Sequence, residues 1–156
     1  MEHNSLERSI GFQLGQTYRK INYLMTVMFK PFDLTPEQWV VLCCINGTDG
    51  IHPTELAQRA HKDKTTITRI LDHLERKGAI QKQANTEDRR SFFVFLTEHG
   101  KSCIQSLAAI EKATLGTILQ TVSDEKLSLL REMFDVLQAN VNKELERLQA
   151  DVKQKN

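Results

Sequence analysis

The sequence is poor in the features that mark several protein classes. It has three cysteines, an odd number, with Cys43 and Cys44 adjacent and Cys103 far away. That excludes a disulfide-built scaffold and suits reduced thiols in a cytoplasm. No run of about 18 consecutive apolar residues occurs, so neither a transmembrane helix nor a membrane partner is expected. The opening Met1-Glu2-His3-Asn4-Ser5-Leu6-Glu7-Arg8 lacks a basic stretch followed by an apolar one, so no secretory signal is expected. There is no Gly-rich phosphate or dinucleotide loop, no nucleophile elbow and no HExxH, which argues against an enzyme or a cofactor. The five histidines, at 3, 52, 61, 73 and 99, give one match at helical spacing to a cysteine, His99 with Cys103, which is too little for a metal site. Solenoid repeats and low-complexity stretches are lacking as well. Net charge is almost absent: 21 Lys+Arg against 20 Asp+Glu leave +1 over 156 residues. Taken as an average, that figure disfavours a nucleic-acid partner. The remainder, 40% hydrophobic and 26% charged, is ordinary for a soluble globular chain of one domain, or one domain with long appendages.

What is present is helical periodicity broken by clear stop signals. No proline interrupts residues 6–30, and Leu6, Ile10, Leu14, Ile21, Met25, Met28 and Phe32 recur at spacings of three, four or seven. This predicts a long amphipathic helix limited by Pro31. Thr35-Pro36-Glu37-Gln38 is a helix start with a capping box and a first-turn proline. That helix runs to about Asn46, where Gly47 and Gly50 stop it. Ile51-His52 reads as a short extended piece, and Pro53 opens a short helix to Arg59. After a break at His61-Lys62, Asp63 caps a helix over 64–77 with Gly78 as its stop; Ile67, Ile70, Leu71 and Leu74 form its buried face. Strands over 80–84 and 91–96 flank a polar turn and make a hairpin, the second strand being apolar on both faces and so covered by helices on one side. Thr97 caps a helix from Glu98 to about Thr121, and Ser123-Asp124-Glu125 caps the last one. The stripe Leu127, Leu130, Phe134, Leu137, Val141, Leu145, Leu148, Val152 is close to a coiled-coil seam. A helix of about 28 residues is roughly 42 Å long, farther than a core of this size reaches, so the stripe predicts a partner chain.

Helix, tight turn, helix and hairpin, in that order over residues 53–96, predict a winged helix-turn-helix. Such turns often carry Gly where this chain has His61, a residue that tolerates left-handed backbone better than most. The second of the two helices has a polar face of Lys62, Lys64, Thr65, Thr66, Thr68, Arg69 and His73. Arg pairs with guanine in the major groove, Thr reaches base edges or a thymine methyl, and Lys near a helix start suits phosphate. The alternative is a solvated face with no partner. Pro53, Thr54 and Lys82 are expected to support the DNA contact. At the hairpin tip Arg89 and Arg90 suit minor-groove entry, with Asp88 orienting one of them; a local salt bridge is the other reading. The charge also divides: residues 59–90 hold nine basic and five acidic side chains, a surplus of four, and the rest of the chain is three to the acidic side. Tyr18, Met25, Phe29 and Trp39 are candidates for a ligand pocket, although such residues at helical spacing are more often core. At least one of Cys43 and Cys44 is expected in the core, and Cys103 is the better redox candidate if exposed.

These pieces resemble the MarR family of bacterial transcriptional regulators. The resemblance lies in Leu34-Thr35-Pro36-Glu37-Gln38-Trp39, in Pro53-Thr54-Glu55-Leu56-Ala57, and in the helix Lys64-Thr65-Thr66-Ile67-Thr68-Arg69-Ile70-Leu71-Asp72-His73-Leu74-Glu75-Arg76-Lys77-Gly78. It continues through Glu87-Asp88-Arg89-Arg90-Ser91 and Leu96-Thr97-Glu98-His99-Gly100, so it spans nearly the whole chain. It implies a mainly α fold with a small β-hairpin wing, assembled as a triangular homodimer. Residues 1–34 and 98–156 would form the helical dimerisation region, with Leu6, Ile10, Leu14, Leu137, Val141, Leu145, Leu148 and Val152 at the seam, and 35–97 the DNA-binding domain. It further implies a repressor on a pseudo-palindromic operator in double-stranded DNA, released by a small aromatic or amphipathic effector. Two competing readings remain: a winged-helix adaptor without DNA binding, and a redox-responsive regulator using Cys43, Cys44 or Cys103. No cysteine lies in the first helix, which departs from members that sense oxidants there.

Overall fold

A computed structural model describes Leu6, Arg8 to Thr86, Asp88 and Ser91 to Gln154, with side chains as far as Asp151. The chain forms two compact units, Met1–Thr114 and Leu115–Asn156. The first holds α1 (Ile10–Phe29), a 3-10 turn (Lys30–Phe32), α2 (Pro36–Ile45), α3 (Pro53–Arg59), α4 (Lys64–Arg76), β1 (Ile80–Ala84), β2 (Phe92–Leu96) and most of α5 (Glu98–Leu119). The second holds the end of α5 and all of α6 (Asp124–Gln154).

The first helix begins at Ile10 rather than Leu6, because Ser9 caps it: its Oγ accepts from the Phe12 amide at 3.4 Å. Leu6 therefore lies in the turn before the helix, exposed. At the other end Pro31 sits in the 3-10 turn, and Asp33 takes the left-handed region at φ 52° to reverse the chain. The α2 capping box is complete. Thr35 Oγ1 accepts from the Gln38 amide at 3.2 Å, and Gln38 Oε1 accepts from the Thr35 amide at 3.1 Å.

Two left-handed caps shape the helix-turn-helix and its exit. After α3, the His61 amide donates to Gln58 O at 3.1 Å and the Lys62 amide to Ala57 O at 2.9 Å. After α4, the Gly78 amide donates to Glu75 O at 2.9 Å and the Ala79 amide to Leu74 O at 3.0 Å. Both are Schellman motifs, with His61 at φ 49° and Gly78 at φ 69° in the pivotal position.

Strand β1 pairs antiparallel with β2, Ile80 opposite Leu96 and Ala84 opposite Phe92. Ile51, read from the sequence as merely extended, adds a third rung: it exchanges two hydrogen bonds with Val94, at 3.1 and 2.9 Å. The hairpin is thereby tied to the core through Val94, which is fully buried. The core of this unit gathers Phe29, Leu42, Ile45, Leu56, Leu71 and Leu74. Thr97 fixes the start of α5 to the turn after α4, its Oγ1 donating to Gly78 O at 2.6 Å. Gly100 is a close approach: a Cβ there would collide with the Ala79 carbonyl.

In the second unit, α6 runs 31 residues and buries none of its described side chains. Apart from half-buried Leu127, its large apolar side chains stay open, from 40% exposed at Leu130, Phe134 and Leu137 to 60% at Val136. Among the described residues, no helix is long and apolar enough to cross a membrane.

Candidate nucleic-acid interface

The second helix of the helix-turn-helix is sharply two-faced. Ile67, Ile70, Leu71 and Leu74 are buried, while Lys64, Thr65, Thr68, Arg69 and His73 are exposed. Asp63 starts it: Oδ1 accepts from the Thr66 amide at 2.8 Å and Oδ2 from Thr66 Oγ1 at 2.7 Å. Those bonds hold the Asp63 carboxyl below its ordinary value. Thr66 is thus part of the cap, and Thr68 Oγ1 donates back to Lys64 O at 2.9 Å. Lys64 and Arg69 have no ion pair among the described residues. They stand free at the N-terminal half of α4, where helix ends and cations both favour phosphate.

The other basic residues of this segment are largely engaged. Lys62 Nζ is 3.1 Å from Glu37 Oε1 and ties the helix-turn-helix to α2. Lys77 Nζ meets the Asp33 carbonyl and lies 3.1 Å from Asp33 Oδ2. Arg59 pairs with Glu55 at 2.6 Å. Lys82 Nζ lies 2.7 Å from Asp72 Oδ1 and 2.8 Å from Glu75 Oε2, and 5.4 Å from the Phe92 ring centroid. The surplus counted along the sequence is consequently smaller as free charge, and Lys62 and Lys82, expected to meet DNA, are each held by acidic neighbours.

Pro53 and Thr54 open α3 half-buried, where His52 Nδ1 accepts from the Thr54 amide at 3.2 Å. At the wing tip the Ser91 amide donates to Asp88 O at 2.9 Å. Arg89 and Arg90 lie outside the described residues, as does the side chain of Val152. The structure separates the pocket candidates. Met25 and Phe29 are core, and Trp39 packs edge-on against Phe29 with centroids 5.5 Å apart. Tyr18 borders a groove of about 320 Å³ shared with Asn22, Val40, His61 and Lys62.

The cysteines depart from expectation. Neither member of the vicinal pair is core: Cys43 is exposed and Cys44 half-buried. The apolar face of α2 is made by Val41, Leu42 and Ile45, which turns both thiols aside. Desolvation by its immediate neighbours, with the charges of Cys44 and Glu111 adding, still pushes the Cys43 thiol up to about 11. Cys103 is buried, and burial raises its pKa too; its Sγ lies 3.7 Å from His99 Nε2. Thiols held protonated in this way are poor nucleophiles.

A helix pair joined by a left-handed turn, an open basic face on the second helix and a hairpin anchored beside it define a winged helix-turn-helix. The family model described as MarR family matches residues 34–92, the winged helix itself. Through this segment the chain is similar to that family. Solved structures agree in fold. One is a cysteine-to-serine mutant of MarR from E. coli complexed with operator DNA: 24% identity, TM-score 0.76, covering 82% of this chain and 92% of that one. Another is CouR from Rhodococcus jostii RHA1 bound to p-coumaroyl-CoA: 23% identity, TM-score 0.74, covering 87% and 94%. A third, from Listeria innocua and of unknown function, is 28% identical with TM-score 0.63, covering 84% and 91%.

Proposed function

We propose that the protein is a cytoplasmic homodimeric repressor that binds a pseudo-palindromic operator and leaves it when a small aromatic or amphipathic effector binds. Residues 35–97 read DNA, and residues 1–34 and 98–156 dimerise. The observation that carries the reading is the exposed face Lys64, Thr65, Thr68, Arg69 and His73, whose two strong cations have no ion pair among the described residues. Lys64 and Thr65 bind phosphate, and Thr68, Arg69 and His73 face base edges. Arg89 and Arg90 enter the adjacent minor groove from the wing. Two-fold symmetry sets the paired α4 helices about 34 Å apart, one DNA turn. The effector part rests on the groove beside Tyr18, whose size is at the lower end for a small ligand, and on CouR, which was solved with an aromatic CoA thioester.

Titrating the protein onto its own upstream DNA at several salt concentrations tests this. Log K is expected to fall steeply with log salt, and Arg69→Ala to weaken binding by about 1–3 kcal/mol with relaxed specificity at one base position per half-site. Salt-independent or absent binding sinks the regulator reading. Adding aromatic carboxylates and their CoA thioesters to the same titration reads release directly, and affinity that none of them alters removes the effector from it.

A further inference from the structure

We propose that Lys82 is a positioning residue that clamps the wing to the recognition helix and acts on DNA binding without touching DNA. The placement follows from two periodicities. On β1, alternation puts Ile80 and Lys82 on one face; Ile80 is buried, and Lys82 lies one repeat further toward the wing tip. On α4, Asp72 and Glu75 are three residues apart and share a face. Both carboxylates converge on the single Nζ, at 2.7 and 2.8 Å. The stem of Lys82 lies diagonally across from Phe92, because Lys82 pairs with Val94 in the ladder. Its side chain is only 20% exposed, so three groups on two elements fix it from different sides.

The wing needs such a tie. Strand β2 is held on both edges, by β1 and by Ile51, whereas the outer edge of β1 carries no further strand among the described residues. Ile80 holds the base of β1, and Lys82 adds an ionic hold nearer the tip. Asp72 is one turn of α4 beyond Arg69, so the clamp joins the wing to the part of the helix placed against DNA. Without it, wing and helix would meet the duplex with looser mutual register, and the ordering would be deferred to binding. Burial works against the Lys82 charge, but hydrogen bonds and the charges of Glu75 and Asp72 outweigh it and keep the ammonium protonated.

The proposal rests on the reading of α4 and the hairpin as the DNA-contacting elements, and the experiment separates the two. Operator affinity is measured against salt for Lys82→Gln, Lys82→Arg, the double variant Asp72→Asn with Glu75→Gln, and Arg69→Ala. A clamp predicts that Lys82→Gln weakens binding roughly two- to tenfold with an unchanged log K–log salt slope, and that Lys82→Arg restores it. It also predicts that removing the two carboxylates weakens binding. If Lys82 touched phosphate, its loss would instead lower the slope by about one per contact, and removing the neighbouring negative charge would tighten binding. A lowered slope, tighter binding by the acid-free variant, or unchanged affinity of Lys82→Gln overturns the clamp. If Arg69→Ala is also without effect, the DNA-contact reading fails beneath it; if only Arg69→Ala weakens binding, the clamp alone fails.

Discussion

At the residue scale, the two Schellman caps differ in one atom group. Gly78 adopts φ 69° without a Cβ, while His61 adopts φ 49° with one. Left-handed backbone costs an L-residue roughly 1–2 kcal/mol, and glycine returns part of that as extra unfolded-state entropy. His61→Gly is therefore expected to stabilise the fold by about 0.5 kcal/mol, read as a raised denaturant midpoint at unchanged slope. A lowered midpoint would mean that the His61 ring, which borders the groove with Tyr18, packs more favourably than its backbone is strained. The sequence made the turn legible through the break at His61-Lys62 between two helix signals, with His61 standing where Gly is usual. It did not make Lys82 legible. A lysine in a basic segment looks the same whether it faces solvent or two carboxylates from another element, and only the register of β1 against α4 distinguishes the cases.

At the scale of the element, α4 depends on its first turn. Asp63 accepts two bonds from Thr66, and its carboxyl titrates below the ordinary value in the folded state. A depressed carboxylate stabilises above its unfolded pKa, about 3.9, and loses that stabilisation as pH falls through the folded value. Asp63→Ala is expected to lower Tm at neutral pH by on the order of a few degrees. The deficit should shrink on acidification below about pH 4 as the wild-type carboxyl takes up its proton. A deficit that is the same at acid and neutral pH would show that helix propensity at this position, and not the charged cap, sets the difference. Most helix starts were readable because capping is local: Thr35, Asp63 and Thr97 each lie within three residues of the amide they serve. Ser9 is equally local yet went unread, hidden by an apolar spacing that continues through it to Leu6. The pairing of Ile51 with Val94 was illegible for the opposite reason, because 43 residues separate the partners and neither carries a turn signal.

At the scale of the molecule, one chain leaves too much apolar surface open. Helix α6 spans about 46 Å, and Leu130, Phe134, Leu137, Val141, Leu145 and Leu148 are each at least 40% exposed. A contiguous patch of that kind marks an interface. The spacing of four, three, four, four and three fits a helix seam. A second copy supplies it most simply, and the proposed pseudo-palindromic operator would need two reading heads related by the same symmetry. Leu145→Asp tests this with little risk to the fold, because residue 145 is 50% exposed within a single chain. In a symmetric dimer the substitution enters the interface twice, and each buried carboxylate costs several kcal/mol unless it is paired. Light scattering should then report the mass of one chain, while Ala139→Asp, exposed on the far side of the same helix from the stripe, should keep the mass of two. The Leu145→Asp protein should also lose most of its operator affinity while keeping the helical circular dichroism of the wild type, since each head would bind its half-site alone. A Leu145→Asp protein that still scatters as two chains would move the seam off this stripe and leave α6 without the partner its sequence calls for.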